Sequence, residues 1–513
     1  MPPTNLDAPQ PGSLTTIIEP GLKVTASDYP MEWKSHEKED SPSTTHEIAF
    51  DTENDFDRDF LYVSGMAVDR IARVSKKDPT RQQIFIFPKK NENGRKHEDA
   101  QPHTLRFANV KEDYGMLWVG LENQGLIVKL NMVKLLTNNK MHATEGDIPL
   151  PFVLEETDFS TVCDVRISGD NIPVPINTRP HGFCFDKDYT YIYFTGKLTN
   201  TVGRIKMHGT DENKELQHFA LPTLGAVPIY VTLGPDNNVW GTCLGNSIVF
   251  RVTTDANNPV VHEMHISPYA AKRRPIAIIP DPRGFPFMWF STEAGHSVCR
   301  LDTNAFEKEH ASKQKKGGAS NNCVCSSGCQ FLFRATASPS WHHKIITEFP
   351  IPKVNHKMKL GGLAIDKDGA IWTQSYVDAE DNPEELPDYV LKLGVNVHDP
   401  TSTHGPKRKS VVNITGLPIE YYELPTKNTI LHRIAIAPDN GVWFTELGAD
   451  RIGTIAFEDT RKKREASGNG EQQNKKRCHS SVDREDDQEP PPGADRLTNF
   501  NTTRANNSNS NNS

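Results

Sequence analysis

Residues 431–455 form the clearest repeat unit in the chain. They comprise an apolar run, a turn at Asn440 and Gly441, a second apolar run that contains Trp443, and a third run after Asp450. Asn-Gly between two alternating apolar runs predicts a β-hairpin, because both residues tolerate the positive φ of a tight turn. One such unit leaves apolar faces that it cannot cover alone. We therefore expect copies of the unit that pack against one another.

Six weaker copies precede this unit and begin near residues 46, 102, 179, 228, 274 and 361. Further alternating runs that end in proline, such as residues 84–88 and 218–222, lie between copies and supply a fourth strand. Four-stranded antiparallel units that recur about four to eight times are typical of β-propellers. The sequence therefore predicts an all-β fold, a seven-bladed β-propeller over residues 41–457.

The segments outside the repeats are polar. Residues 1–40 are predicted to be flexible, except for a β-like run at residues 15–19 that we expect to complete the last blade and close the ring. Long insertions interrupt the blades at residues 131–178, 302–344 and 395–418. The insertion at residues 302–344 is predicted to be disordered. Residues 458–513 end in an Asn/Ser tract and are predicted to form a disordered polar tail.

Two basic clusters in the tail, residues 461–464 and 475–477, have the spacing of a bipartite nuclear import signal, and a solvated charge run is the alternative. The chain has no run of eighteen apolar residues and does not open with a basic and then apolar leader. The sequence therefore favours a cytoplasmic location, with a nuclear one as the alternative. The net charge of −8 over 513 residues does not indicate a nucleic-acid or membrane partner, and we expect a monomer.

The eight cysteines are too few for a disulfide scaffold in a chain of this length. Three of them, Cys323, Cys325 and Cys329, lie together in a polar loop. A soft metal ion bound to these thiols is one interpretation. Zinc sites normally have four ligands, however, and the sequence shows no fourth one here, so free thiols are the other interpretation.

The blade motif is Trp-Phe-Thr-Glu at residues 443–446, followed by Arg-Ile-Gly at 451–453. Arg-Pro-His-Gly at residues 179–182 and a run ending in Pro-Ile-Pro at 346–352 accompany it. Together these motifs resemble the repeat of the streptogramin B lyases (virginiamycin B lyases) over roughly residues 46–457. The resemblance implies a seven-bladed propeller and a magnesium-assisted elimination that opens a cyclic depsipeptide at its ester bond. The motif is more specific for the fold than for the activity.

The residue that opens each innermost strand is expected to face the central channel of the propeller. In three blades it is Ile229, Ile276 or Gly362. In the other four blades, which adjoin around the ring, it is His432, His46, His103 and His181. One half of the channel mouth is therefore predicted to be rich in imidazole and the other half apolar, which suits an amphipathic small molecule. The alternative is that these polar side chains only hold water.

The resemblance implies a working set of residues on two adjacent blades. One blade has a His at the channel position. The next blade contributes three residues. They are its own channel His, an acid two residues before that His, and a Glu four residues after the Trp of the blade. Blade six of this chain has Gly362 and Gln374 at two of these positions, so the last two blades do not match the set.

Blades one and two match the set better. His46 corresponds to the first His, His103 to the second, and Glu122, four residues after Trp118, to the Glu near the metal. The acidic position holds Gln101 instead. The resemblance therefore implies catalytic roles for His46 and His103 and a Mg2+ ion bound by Glu122. The contacts to the substrate are predicted to be His181, His432 and Gln101.

Elimination across an ester requires a base for the proton α to a carbonyl and a positive charge for the enolate-like transition state. A His with a near-neutral pKa suits the first role and Mg2+ suits the second. The first hypothesis is therefore a lyase-like enzyme that opens an ester or lactone bond in a cyclic depsipeptide-type or related small molecule. The substrate is expected to bind in the central channel.

Two alternatives come from other functional classes. One is a non-catalytic propeller that binds a protein or ligand, with the insertions and the tail as the contact surface. The other is a lactone hydrolase of a related propeller type, which requires a carboxylate-rich calcium site; the histidines at the channel positions count against it. Glu293 also stands four residues after a Trp, but without a His partner it is predicted to face solvent.

Overall fold

Seven β-sheets make up the computed structural model, and each sheet is one blade of a closed β-propeller. The seven-bladed propeller predicted from the repeats is confirmed. The structure describes residues 12–19, 22–33, 44–52, 56–87, 99–138, 148–149, 153–158, 178–208, 216–255, 259–266, 273–316, 345–354, 356–382, 385–394 and 419–459. No helix within these ranges is long and apolar enough to cross a membrane.

Two N-terminal strands complete blade seven. Strands β1 (Gly12–Glu19) and β2 (Leu22–Pro30) form an antiparallel hairpin, and β2 pairs with the strand Arg451–Asp459 of blade seven. The sequence predicts the closing strand at residues 15–19, which lie in β1. In the structure β1 is the outermost, fifth strand, and β2 takes the fourth position of the blade. The predicted flexible segment, residues 1–40, therefore includes both of these strands.

A buried ion pair attaches β2 to the neighbouring strand Arg451–Asp459 of blade seven. Asp28 is fully buried, and its Oδ1 accepts hydrogen bonds from Nε of Arg451 at 2.9 Å and from Nη2 at 2.6 Å. The same oxygen accepts the backbone N–H of Gly12 at 3.1 Å, and Oδ2 accepts that of Thr426 at 3.2 Å. Because one carboxylate binds three separate segments, its ion pair connects both ends of the ring.

The other strands follow in chain order, with the innermost strand of each blade first. Blade one contains β3 (Thr45–Ala49), β4 (Phe60–Gly65), β5 (Arg70–Ser75) and β6 (Gln82–Ile86). Blade two contains β7 (Pro102–Phe107), β8 (Met116–Leu121), β9 (Leu126–Asn131) and, after the short β10 (Ile148–Pro149) that pairs with β6, β11 (Val153–Asp158). Blade three contains β12 (Pro180–Phe185), β13 (Tyr191–Gly196), β14 (Thr201–Lys206) and β15 (Gln217–Ala220).

Blade four contains β16 (Pro228–Leu233), β17 (Val239–Cys243), β18 (Ile248–Val252) and β19 (Val261–His265). Blade five contains β20 (Pro275–Pro280), β21 (Phe287–Thr292), β22 (Ser297–Asp302) and β23 (Ile346–Pro350). Blade six contains β24 (Lys359–Ile365), β25 (Ile371–Tyr376), β26 (Tyr389–Leu393) and β27 (Ile419–Glu423). Blade seven contains β28 (Leu431–Ile436), β29 (Val442–Glu446) and β30 (Arg451–Asp459), besides β2 and β1.

Within the described ranges two helices lie between strands, α1 (Met132–Asn138) and α2 (Thr303–Lys316). Short 3-10 turns occur at Met66–Val68, Lys111–Asp113 and Ala379–Asp381. The predicted disordered insertion, residues 302–344, therefore begins with a helix. The cysteine cluster at 323–329 and the basic clusters at 461–464 and 475–477 lie outside the described residues.

Apolar clusters fill the spaces between adjacent blades. Ile48 and Leu61 of blade one pack against Trp443 of blade seven, and each of the other pairs of neighbouring blades shares a similar cluster. The core is therefore a ring of interfaces between blades. This arrangement explains why the repeat unit cannot bury its apolar faces alone.

A repeated hydrogen bond explains why an Asp-containing turn and a Trp recur together. The Asp in the turn accepts the indole N–H of the Trp in the second strand, as Asp236 does from Trp240 at 2.9 Å. Asp281 binds Trp289 in the same way at 3.1 Å, and Arg251 adds an ion pair to Asp236 at 2.9 Å. The buried indole N–H is thereby satisfied, and the turn is attached to the strand that follows it.

Candidate functional site

Four imidazoles form one row near the propeller axis. The ring centroids of His432 and His46 are 4.0 Å apart, those of His46 and His103 3.7 Å, and those of His103 and His181 3.7 Å. His46, His103 and His181 are buried, and His432 is partly exposed. The structure therefore brings together the four histidines that the sequence places at channel positions.

A β-bulge at the channel position of each of these blades directs the side chains. In blade one, Thr45 pairs with Gly65 and Ile48 with Val63, so two residues stand opposite one at His46. The same irregularity occurs in blades two, three and seven, and also in blades five and six, so it is a general feature of the blades. Bulges leave backbone groups unpaired and change the direction of side chains, and they are common next to active sites.

Hydroxyl groups of the preceding blade bind the backbone carbonyls of the bulges. Thr445 donates to His46 O at 2.9 Å, Ser64 to His103 O at 3.0 Å, and Thr104 to His181 O at 2.6 Å. Gln374 Nε2 donates to Arg433 O, one residue after His432, at 2.8 Å. The backbone at each histidine, or at the residue after it, is thus held by the blade before its own. Among the hydroxyl donors Thr445 stands two residues after a Trp, Trp443.

The hydrogen bonds of the row determine which ring nitrogens are free. His181 Nδ1 lies 2.8 Å from Ile229 O, and because a carbonyl only accepts, this nitrogen carries the proton and leaves a lone pair on Nε2. His46 Nδ1, His103 Nδ1 and His432 Nε2 have no hydrogen-bond partner within the described part of the chain. The row therefore contains buried ring nitrogens whose hydrogen-bonding capacity is not used by the described residues.

Burial keeps the row neutral. It lowers the pKa of His46, His103, His181 and His432 well below the usual value, and neighbouring positive charges act in the same direction. Arg433 contributes to the lowered pKa of all four, and another imidazole of the row contributes for His46, His103 and His432. At neutral pH these side chains are therefore unprotonated and can accept a proton.

Glu122 lies beside the middle of the row. Its N–H donates to Gln101 O at 3.0 Å, which fixes the turn after β8 next to the start of β7. Its buried carboxylate contacts two partners, with Oε1 2.9 Å from Lys197 Nζ and Oε2 3.6 Å from His103 Nε2. One ligand atom each from Glu122, His103 and His181 lies within 4.8 Å of the other two.

The backbone of Gln101 supports this arrangement. Gln101 has a φ of 50°, in the left-handed region, and its N–H donates to Asp69 Oδ1 at 3.0 Å. A residue other than glycine costs about 1 kcal/mol in this conformation, so the surrounding hydrogen bonds maintain it. Of the predicted substrate contacts, His181 and His432 lie in the row, and Gln101 supports it through its backbone.

The residues around Glu122 do not form a good Mg2+ site. Magnesium prefers six oxygen ligands in an octahedral arrangement. Here the donors close to one another are two imidazole nitrogens and one carboxylate, and one oxygen of that carboxylate already binds an ammonium group. Mg2+ stays a prediction from the resemblance, and the mechanism proposed below does not depend on it.

A charged cluster next to the row contains residues that the sequence analysis missed. Arg433 Nε lies 3.1 Å from Glu47 Oε2, and Arg106 Nη2 lies 3.2 Å from the hydroxyl of Tyr230. The guanidinium carbon of Arg433 is 5.5 Å from the centroid of the Tyr230 ring. Glu47, Tyr230 and Arg433 each follow the channel position of their blade, so inspecting the next residue as well would have found them.

Two further carboxylates near the ends of Trp strands are buried. The prediction that Glu293 faces solvent is wrong, because its Oε1 accepts the hydroxyl of Tyr376 at 3.1 Å and its Oε2 lies 2.9 Å from Arg274 Nε. The sequence does not show these partners, since Arg274 immediately precedes β20 and Tyr376 ends β25 of the next blade. Both carboxylate oxygens of Glu446 are buried and have no hydrogen-bond partner among the described residues.

Fold and site together define a seven-bladed β-propeller with a histidine-rich site near its axis. Among solved structures, the chain is similar to a streptogramin B lyase, with a TM-score of 0.51 and 17% identity over 85% of this chain and 98% of that one. It is also similar to virginiamycin B lyase from Staphylococcus aureus, with a TM-score of 0.50 and 16% identity over 85% and 99% of the two chains. No family profile and no curated protein sequence matches the chain. The resemblance to the lyases is thus shown for the fold.

Proposed function

We propose that this protein is a lyase-like enzyme that opens an ester or lactone bond of a cyclic depsipeptide or related small molecule by elimination. The observation that carries the proposal is the position of His46. Its ring lies between those of His103 and His432, and its Nδ1 has no hydrogen-bond partner in the described ranges. The fold shared with the streptogramin B lyases supports the same reaction class.

His46 acts as the general base. The imidazole takes the proton α to a carbonyl, the electron pair of that C–H bond forms a C=C bond, and the ester C–O bond breaks to release a carboxylate. Burial lowers the pKa of His46, so the ring is in its basic form before the substrate binds. His103, in contact with His46 on the side of Glu122, holds the base in place.

Arg433 supplies positive charge for the enolate-like transition state. Its Nη1 is buried and has no hydrogen-bond partner among the residues that the structure describes, while its Nε is held by Glu47. A donor that is already oriented stabilises developing negative charge without a cost of reorganisation. Arg433 thus takes the electrostatic role that the resemblance gives to a metal ion.

The test is product analysis with purified full-length protein and a panel of cyclic depsipeptides that includes quinupristin, the compound present in a solved structure of a catalytically inactive virginiamycin B lyase. Elimination gives a ring-opened product of unchanged mass with a new C=C bond, whereas hydrolysis gives a product that is heavier by one water. Mass spectrometry and ultraviolet absorption distinguish the two.

A matched pair of variants connects the reaction with the site. His46→Gln removes the base, and we expect the rate to fall about 10²- to 10⁴-fold. His356→Gln changes an exposed histidine on a turn and is expected to leave the rate unchanged. Bound but unchanged depsipeptide would indicate a non-catalytic binding propeller, and a hydrolysed product would indicate the wrong reaction class.

A further inference from the structure

We propose that His103, Glu122 and His181 bind one divalent transition-metal ion of the Zn2+ or Co2+ type. The three residues come from two adjacent blades, and one ligand atom of each lies within 4.8 Å of the others. All three side chains are buried. The inference concerns metal binding alone and does not rest on the proposed elimination.

The distances within the triad are close to those of a ligated ion. Metal–nitrogen and metal–oxygen bonds of about 2.0–2.2 Å place two tetrahedral ligand atoms about 3.4 Å apart. His103 Nε2 and Glu122 Oε2 are 3.6 Å apart. The other two pairs of ligand atoms lie within 4.8 Å, so these atoms must approach one another by up to about 1.4 Å to bind a common ion. A fourth position is then open for water or substrate.

The hydrogen bond of His181 has the form found at metal sites. Its Nδ1 donates to Ile229 O at 2.8 Å, which orients the ring and leaves the lone pair of Nε2 for the ion. Histidines that bind metals usually donate their other N–H to a carbonyl or carboxylate in this way. Thr104, which binds His181 O at 2.6 Å, holds the backbone of the same residue in place.

The chemistry of the donors selects the class of metal. Two imidazoles and one carboxylate suit zinc, cobalt, nickel or iron, whereas magnesium requires more oxygen ligands. The resemblance to the lyases implies magnesium at Glu122. The presence of His181 beside His103 and Glu122 points to a different ion at this position.

Lys197 is the competing cation. Its Nζ lies 2.9 Å from Glu122 Oε1, and its side chain is partly exposed. The ammonium group leaves Oε2 for the metal, but it repels a nearby divalent ion. We therefore expect removal of the Lys197 charge to strengthen metal binding. If Lys197 and Glu122 form only a structural ion pair and no metal binds there, removal of the charge should give no such gain.

The experiment is a titration of metal-free full-length protein with Co2+, followed by visible absorption, and with Zn2+ or Mg2+ by calorimetry. We expect one tightly bound Co2+ or Zn2+ per chain and much weaker Mg2+ binding. Glu122→Gln and His181→Gln should each weaken Co2+ binding by at least about tenfold, and Lys197→Met should strengthen it. His432→Gln, in the same row but outside the triad, should leave it unchanged.

Thermal unfolding of each variant shows whether it is folded. If Glu122→Gln does not fold, His181→Gln provides the same comparison. Absence of stoichiometric Co2+ and Zn2+ binding to the unaltered protein overturns the proposal whatever the variants do. It is also overturned if Mg2+ binds as tightly as Co2+, or if His432→Gln weakens binding as much as His181→Gln. None of these outcomes depends on catalytic activity.

Discussion

The hydroxyl of Thr445 donates a hydrogen bond to the backbone carbonyl of His46 at 2.9 Å, although the two residues are 399 positions apart in the sequence. This bond joins blade seven to blade one and fixes the bulge that carries the proposed base. Thr445 also accepts the N–H of Arg433 at 3.0 Å. One side chain therefore positions both the base and the cation of the proposed site.

Replacing Thr445 by Val removes this hydroxyl while keeping the shape of the side chain. The buried His46 carbonyl then loses its partner, and we expect the free energy of unfolding to fall by about 1–3 kcal/mol. Urea denaturation measures the change. Thr80→Val, at an exposed turn, is the control and should have little effect. Equal stability of the two variants would contradict the role assigned to Thr445.

Replacing Asp28 by Ala leaves Arg451 without its buried partner. Breaking one side of such a pair costs about 3–5 kcal/mol of unfolding free energy, so we expect a large loss of stability and opening of blade seven. Hydrogen exchange of the backbone in β2 and β30 measures the opening. Lys77→Ala, which breaks an exposed pair with Asp59, is the control. Unchanged protection of β2 would show that the ion pair does not close the ring.

The histidine row makes the fold sensitive to acid. Burial lowers the pKa of His46 and His103 below the unfolded value of about 6.5, so below that pH the unfolded chain binds more protons than the folded one. Their contribution to stability is present above about pH 6.5 and is lost as the pH falls towards their folded pKa. Unfolding free energies between pH 7.5 and 5 should decrease, and less steeply in the double variant His46→Gln, His103→Gln. An identical slope would contradict the burial of these rings.

Glu446 produces the opposite dependence on pH. Burial, helped by Asp28, raises its pKa well above the usual value, while Arg451 opposes the shift. The unfolded carboxylate ionises above about pH 4.3, so stability is lost as the pH rises from there towards the folded pKa. Glu446→Gln should therefore be more stable than the unaltered protein at pH 8, and this advantage should shrink at pH 5. A constant difference at both pH values would show that ionisation is not the cause.

Arg433 is expected to affect the rate more than binding. Arg433→Lys keeps a charge but changes the geometry of its donors, and loss of one oriented donor costs about 10²- to 10³-fold in kcat. Steady-state kinetics with a depsipeptide that the unaltered protein opens should show a lower kcat and a similar KM. Arg58→Lys, on the exposed surface, is the control. A change confined to KM would make Arg433 a binding residue only.

The repeat pattern was sufficient to predict the blades because each contains its own local signals. The turn and the alternating apolar residues of a blade lie within about twenty residues of one another. In blades two, four, five and six an Asp near the turn also accepts the indole N–H of a Trp, whereas blades one and three have a Tyr in place of the Trp. The four channel histidines could be identified for the same reason, since each stands at the same place in its blade. Proximity within the row follows from the ring, which places the first strands of adjacent blades side by side.

Other features depend on contacts between distant segments. The sequence shows an Asp28 and an Arg451, but only the closed ring brings them within 2.6 Å and makes β2 the closing strand. The prediction for Glu293 was wrong because its partners lie elsewhere in the fold, Arg274 just before β20 and Tyr376 at the end of β25.

The sequence by itself determined the all-β propeller, the number of blades and the residue at each channel position, because these depend on local periodicity and turn chemistry. The tertiary structure decided what those residues can do. It set the bulges that direct the imidazoles, placed Lys197 on Glu122 and His181 beside His103, and left Arg433 Nη1 without a hydrogen-bond partner among the described residues. These relations arise from the packing of one blade on the next, and charges or lone pairs act over a few ångströms of space irrespective of their separation along the chain.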